Sequence, residues 1–212
     1  MLPYVVVERE ALLAADVQPG GRPPSPPPLD LVQAFVNTVD REHGPDLLDD
    51  EEGLAEWLGR RGLGGQPPRS GDGRGARTAP APVGPKDLLR ARQAREALRE
   101  ILWANGGEDN DVTAAYATLD AAAERARLRP RFASGGLEAN AGGVDGALGV
   151  VLAAAFAAIV DGSFARLKAC PRDRCGWAFY DRSPAASATW CSMRVCGGRE
   201  KARSYYRRRR RG

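Results

Sequence analysis

The sequence predicts a mainly α-helical chain with one small β-hairpin, an α+β fold in which a helical body precedes a compact cysteine-rich end. Three observations lead there. Apolar residues recur at helical spacing in five stretches between residues 29 and 160. Within that body the period changes to alternation once, around Ser134-Gly135-Gly136. All four cysteines fall within the 27 residues from Cys170 to Cys196.

Residues 1–28 read as a flexible leading segment. Its Gln18–Pro28 stretch, QPGGRPPSPPP, offers few backbone donors and resists ordering. Leu31, Val32, Phe35, Val36 and Val39 then predict a helix over Leu29–Arg41, with Asp30 near its start. The acidic run Asp49–Glu52 suits the N-terminus of a second helix, Glu51–Arg61, carrying Leu54, Trp57 and Leu58 and stopped by Gly62 and Gly64. Residues 64–85 contain almost nothing to bury, so ordering entropy has no compensation, and they read as a disordered insertion. Leu88, Leu89, Ala91, Leu98, Ile101 and Leu102 mark the strongest helix, Lys86–Asn105, closed by Gly106-Gly107, and another covers Val112–Arg127. Leu128–Asn140 reads as a hairpin and Val144–Val160 as an apolar helix ended by Asp161-Gly162.

The net charge of +4 hides an asymmetry. From Arg166 onward the chain holds 14 of its 31 Lys and Arg but three of its 27 acids, a net of +11, which leaves −7 for residues 1–165. An acidic body with a strongly basic end is expected where one end meets a polyanion. The N-terminus lacks the pattern of a secretory signal, so the expected compartment is the cytoplasm. The longest uncharged stretch, Gly146–Val160, is 15 residues, shorter than the roughly 20 that a membrane span needs, and a buried helix is expected.

The cysteines are spaced C-x4-C, 15 residues, C-x4-C. Two close pairs across a mid-sized loop let two chain reversals deliver Cys170, Cys175, Cys191 and Cys196 to one tetrahedral Zn²⁺. Four protein ligands leave no open position for water, so the site is expected to be structural. Two disulfides have the right parity but conflict with a reducing compartment. Trp177, Phe179 and Tyr180 alternate as a short strand, and Trp190 abuts the third ligand, supplying a miniature core. A Zn(Cys)₄ centre is formally −2, which Arg172, Arg174, Arg194 and Arg199 can offset.

The run Cys170-Pro-Arg-Asp-Arg-Cys175-Gly-Trp-Ala-Phe-Tyr-Asp181-Arg-Ser183, followed by Trp190-Cys191-Ser-Met193-Arg-Val-Cys196-Gly197-Gly198-Arg199-Glu-Lys201, resembles the CGNR zinc finger family of bacterial proteins. The likeness covers about Leu167–Arg207, and at one position the family's Asn is Gly198. It implies a treble-clef-like finger over residues 166–212. Upstream, Leu29-Asp30-Leu31, Phe35-Val36-Asn37-Thr38, Leu54-Ala-Glu-Trp57-Leu58 and Ala94-Arg-Glu-Ala-Leu98 resemble the helical ABATE domain that usually precedes this finger, here over residues 29–165. Such proteins are regarded as candidate stress-induced transcription regulators, so the resemblance implies DNA-linked regulation.

Arg199, Lys201, Arg203, Arg207, Arg208, Arg209, Arg210 and Arg211 follow the last ligand, with Glu200 as the one acid among them. A phosphate backbone would neutralise this surface and release counterions, whereas the plain alternative is a solvated tail. Arg199 and Lys201, close to the metal, are better placed to read bases than the terminal run. His43 lies in a Gly-Pro loop and reads as an exposed residue without catalytic partners. Asp46, Asp49, Asp50, Glu51 and Glu52 lack calcium-loop spacing. No phosphate-cradling Gly motif or nucleophile elbow gives enzymatic activity support. The expected function is DNA-binding transcription regulation, with the N-terminal domain sensing a small-molecule effector or forming a homodimer and with no membrane partner. A protein-interaction or RNA-associated adaptor is the alternative.

Overall fold

The computed structural model describes residues 9–14, 18, 21–42, 44–65, 82–172 and 174–210. Most of the expected 64–85 insertion lies outside the described residues, as do His43 and Arg211. A short helix α1 (Arg9–Ala14) leads to α2 (Leu29–Val36), α3 (Glu51–Arg60), α4 (Pro85–Asn105) and α5 (Thr113–Ala126). A β1–β2 ribbon (Arg129–Arg131, Gly136–Glu138) and α6 (Gly143–Val160) complete the helical body. A 3-10 turn (Ser163–Arg166) then enters a second ribbon, β3 (Leu167–Ala169) and β4 (Ala178–Tyr180), and a π-turn (Met193–Gly197) runs into α7 (Gly198–Arg209).

Local chemistry sets the helix boundaries. In α2, Leu29, Val32, Phe35 and Val36 are buried at helical spacing. It ends five residues before the expected Arg41 because Thr38 donates its hydroxyl proton to the Phe35 carbonyl at 2.9 Å and accepts from the Leu47 amide at 2.8 Å. Val39, whose spacing pointed to a helix, instead bridges to Asp46. The acidic run before α3 acts at its start: the Asp50 carboxylate accepts from the Gly53 amide at 2.7 Å, capping a free N–H. Pro85 opens α4, and the Asp87 carboxylate accepts from the Gly84 amide at 2.9 Å.

Helix α4 is central and packs on α2, α3, α5 and α6. The α5–α6 crossing depends on small residues, since a Cβ at Gly149 would lie 2.7 Å from the Cβ atoms of both Ala126 and Ala139. Among the described residues, α6 is the one helix long and apolar enough to cross a membrane, yet 56% of it is buried against the rest of the chain. The β1–β2 ribbon pairs Arg131 with Gly136, and Gly135, at φ +68°, closes the expected hairpin against α6. Leu12, Leu13, Gln18 and Ser25 of the leading segment are buried, and the Ser25 amide donates to the Gln33 side chain at 2.7 Å.

The cysteine-rich end does not hang from the body by α6 alone. β3 lies along α4 and β4 meets α2. Leu167, Trp177 and Phe179 join Phe35, Leu98 and Leu102 in one continuous core. Asn37 completes the join as an artificial strand partner, its amide donating to the Ala178 carbonyl at 2.9 Å and accepting from the Ala178 amide at 2.7 Å.

At the centre of that join, Arg99 of α4 is fully buried. Burial works against its charge, and Glu96, one turn earlier, offsets this through a 2.9 Å ion pair. The remaining donors go to carbonyls on two separate segments: Gly176 of the cysteine-rich end and, at 2.7 Å, Val36 at the close of α2. Removing one partner of such a set strands the others without water. Arg99→Ala should therefore lower the free energy of unfolding in urea by about 3–5 kcal/mol, with the far-UV helical signal retained below the transition.

Candidate metal centre

Each cysteine pair is presented by backbone that turns back on itself. In the first, the Cys170 amide donates to the Trp177 carbonyl at 3.0 Å, closing the β3–β4 ribbon, and the Cys175 amide donates to the Arg172 carbonyl at 2.9 Å. Arg174, at φ +63°, and Gly176, at φ +59°, make the reversal between them. A side chain at Gly176 would be strained and would meet Arg41 at 3.1 Å and Trp103 at 3.3 Å. In the second, the Ser192 hydroxyl caps the π-turn through the Val195 amide, and the Ser192 carbonyl accepts from the amides of Cys196 and Gly197 at 2.9 and 3.1 Å. The ligand Cys196 thus stands two residues before α7 starts.

The two reversals bring all four sulfurs together in the interior, within 4.8 Å of one another. Sγ of Cys191 is 3.4 Å from that of Cys196 and 3.7 Å from that of Cys175, and Cys196 and Cys175 are also 3.7 Å apart. A tetrahedron with Zn–S bonds of about 2.3 Å has edges of about 3.8 Å. A disulfide needs sulfurs at about 2.05 Å. All four cysteines are free thiols, so the disulfide alternative falls and a closed, structural zinc site fits.

The surroundings match a negative centre. Arg172 Nε donates to Cys196 Sγ at 3.3 Å. Hydrogen bonds with Cys170, Cys175 and Cys191 hold the Cys196 thiol well below its ordinary range, and Arg172 adds to them. The same close packing, together with burial, pushes Cys191 up. Trp103 of α4 donates its indole proton to the Cys170 carbonyl at 3.1 Å, fixing the first pair against the body.

Between the ligand pairs, the loop of residues 181–190 is built on a buried ion pair. Lys168 Nζ lies 2.9 Å from Asp181 Oδ2 and also donates to the carbonyls of Ala186 and Ala188. Burial opposes ionisation of Asp181, but bonds from Ser183 and Lys168, and from the backbone amides of Ser183 and Ala188, outweigh it and hold the carboxyl well below the usual range.

Helix α7 starts on this base and buries none of its side chains. Of the expected nucleic-acid contacts, Arg199, Lys201, Arg203, Arg207, Arg208, Arg209 and Arg210 are all exposed. Glu200 pairs with Arg207 at 2.8 Å and with Arg203 at 3.9 Å. Arg199 pairs with Glu42 of the helical body at 2.6 Å, and Arg172 bonds the other oxygen of the same carboxylate. The sequence held no sign of Glu42, which lies in a loop without periodicity. Gly198 has helical dihedrals, and a Cβ there would find ordinary contact with the Met193 carbonyl at 3.5 Å.

Comparison with known families gives two matches in the expected order. Residues 29–163 match ABATE, described as "Putative stress-induced transcription regulator", and residues 166–209 match the CGNR zinc finger. A search of curated proteins finds no match.

Metal analysis of the purified chain should find one Zn²⁺, retained better at pH 8 than at pH 6 because binding displaces thiol protons. Because the finger shares the core with α2 and α4, Cys191→Ser should lose the metal and shift the helical melting transition to lower temperature, where a separate module would leave it unmoved. Asp181→Asn should cost about 3–5 kcal/mol in zinc-loaded protein by leaving Lys168 without its partner. A depressed folded pKa means that the carboxylate's contribution is complete above the unfolded value of about 4 and is lost only in stronger acid. The loss measured by urea melts should therefore be equal at pH 6 and pH 8.

Proposed function

This chain belongs to the ABATE family and ends in a CGNR zinc finger, and from that premise we propose that it is a DNA-binding transcription regulator whose contact element is α7. The observation that carries the reading is the state of that helix. It packs at its base on the Met193–Gly197 turn and exposes Arg199, Lys201, Arg203 and Arg207–Arg210 against the single acid Glu200. Twelve residues are marginal for an isolated helix in water, and these like charges repel one another. A phosphate backbone would add to the counter-charge that Glu42 and Glu200 give this helix, whose basic residues outnumber them.

The helix divides by distance from the metal. Lys201 lies five residues beyond Cys196, on the turn anchored by the zinc site, so its ammonium has a defined origin from which to address a base edge. Arg207–Arg210 lie two turns further out and follow phosphates without choosing bases. Homodimerisation has support from the C-terminal half of α6, where Phe156, Ile159 and Val160 are exposed apolar residues. A small-molecule effector has support from an open groove of about 490 Å³ between α4 and α5, lined by Gln93, Glu96, Glu100 and Thr118 among small Ala side chains.

The test is binding to a selected duplex and to a scrambled one at two salt concentrations. Replacing Arg207–Arg211 by Ala should weaken both about equally and flatten the log Kd against log salt plot by about 0.9 per lost phosphate contact. Lys201→Ala should narrow the gap between the two duplexes. Equal affinity of the wild type for duplex and for an unrelated polyanion would end this reading in favour of an adaptor.

A further inference from the structure

The carboxylate of Glu42 stands where the body meets the root of α7, gripped from two sides. Arg199 Nη1 donates to Oε1 at 2.6 Å, and Arg172 Nη2 donates to Oε2. The Arg172, Glu42 and Arg199 side chains are 12, 16 and 44% exposed, so the cluster is shielded on the metal side and open on the helix side. Neither arginine comes from the segment that supplies the glutamate. Arg172 lies in the first cysteine reversal, where its Nε is committed to Cys196 Sγ, and Arg199 is the second residue of α7. Two guanidinium groups that converge on one singly charged group with two acceptor oxygens define a binding site by its chemistry. A carboxylate fits it, and so does a phosphodiester, which carries the same charge on two terminal oxygens. Arginine suits either group because its planar fork matches both.

We infer that Arg172 and Arg199 form a phosphate-binding fork at the base of α7 and that Glu42 of the helical body fills this fork in cis, in competition with nucleic-acid phosphate. The inference rests on the DNA-binding reading of α7. The helix supplies continuity: Arg199, Arg203, Tyr206 and Arg210 recur at spacings of four, three and four, so one face of α7 leads down to the fork. The glutamate is held in place by the body. Its amide donates to Asp40 Oδ1 at 3.0 Å, and the loop from Val39 to Asp46 is closed by the Val39–Asp46 bridge. Beyond that bridge, Arg95 of α4 grips Asp46 at 2.5 and 2.9 Å. Affinity for phosphate at α7 is therefore set partly by a loop of the other family region, and binding requires Glu42 to leave the fork.

The experiment uses the full zinc-loaded chain and a duplex of fixed length, with Kd measured between 50 mM and 200 mM salt. Glu42→Gln keeps the shape but removes the competing charge. It should tighten binding about fivefold at 0.1 M salt, because the fork no longer has to be vacated before phosphate enters. Adding Arg199→Gln to that variant should remove the gain. Zinc content and melting temperature are measured on each protein, so that lost folding is recognised. Should Glu42→Gln fail to fold, Arg199→Gln alone decides, because it leaves Arg172 and the ligands in place and should flatten the wild-type slope by about 0.9. A folded, zinc-loaded Glu42→Gln protein with unchanged or weaker binding overturns the inference, as does an unchanged slope for Arg199→Gln. A wild type without salt-dependent duplex binding overturns the DNA reading itself.

Discussion

The buried guanidinium of Arg99 constrains the whole assembly, because each of its N–H groups must find an acceptor where no water can reach. Glu96 balances the charge from within the same helix, but the other acceptors, Val36 and Gly176, belong to segments 140 residues apart in the chain. The Gly176 carbonyl is offered from left-handed backbone, where a side chain would be strained and would crowd Arg41 and Trp103. Replacing buried polar sets with apolar residues is often neutral for stability. Their effect here is geometric, since they specify how the cysteine-rich end sits on α4 and α2.

Metal site and body consequently share one core. Zinc ties the two chain reversals to each other across a loop held by the Lys168–Asp181 pair, and the Arg172 contact with Cys196 adds a second link. The body then accepts the resulting surface through Trp177 and Phe179, through the Asn37 amide and through the Trp103 indole. α7 is the exception: it takes its direction from Cys196 and the π-turn but adds nothing to the core. A rigid root with an exposed basic shaft suits an element whose partner is a polyanion. The Glu42 contact at that root gives the helical body a direct hold on it.

Most of the helices were legible from the sequence alone, because burial on one face writes a 3.6-residue period into Leu, Ile, Val and Trp positions regardless of what covers them. The hairpin was legible through its Ser134-Gly135-Gly136 turn, and the metal centre through cysteine spacing, since four thiolates at C-x4-C intervals have few uses other than a closed tetrahedral site. The basic character of α7 needed no structure either, because charge composition does not depend on fold. What the sequence could not show was partnership between polar residues far apart in the chain. Val39 fitted a helical period yet serves a bridge, since the hydrogen bonds of Thr38 end α2 first. Arg99, Arg172, Asn37 and Glu42 carry no periodic signature, and an arginine within an amphipathic helix reads as solvated until the tertiary structure puts carbonyls around it. Burial pattern is a local property of the chain, whereas the pairing of buried polar groups is decided only when α4, α2 and the cysteine reversals meet.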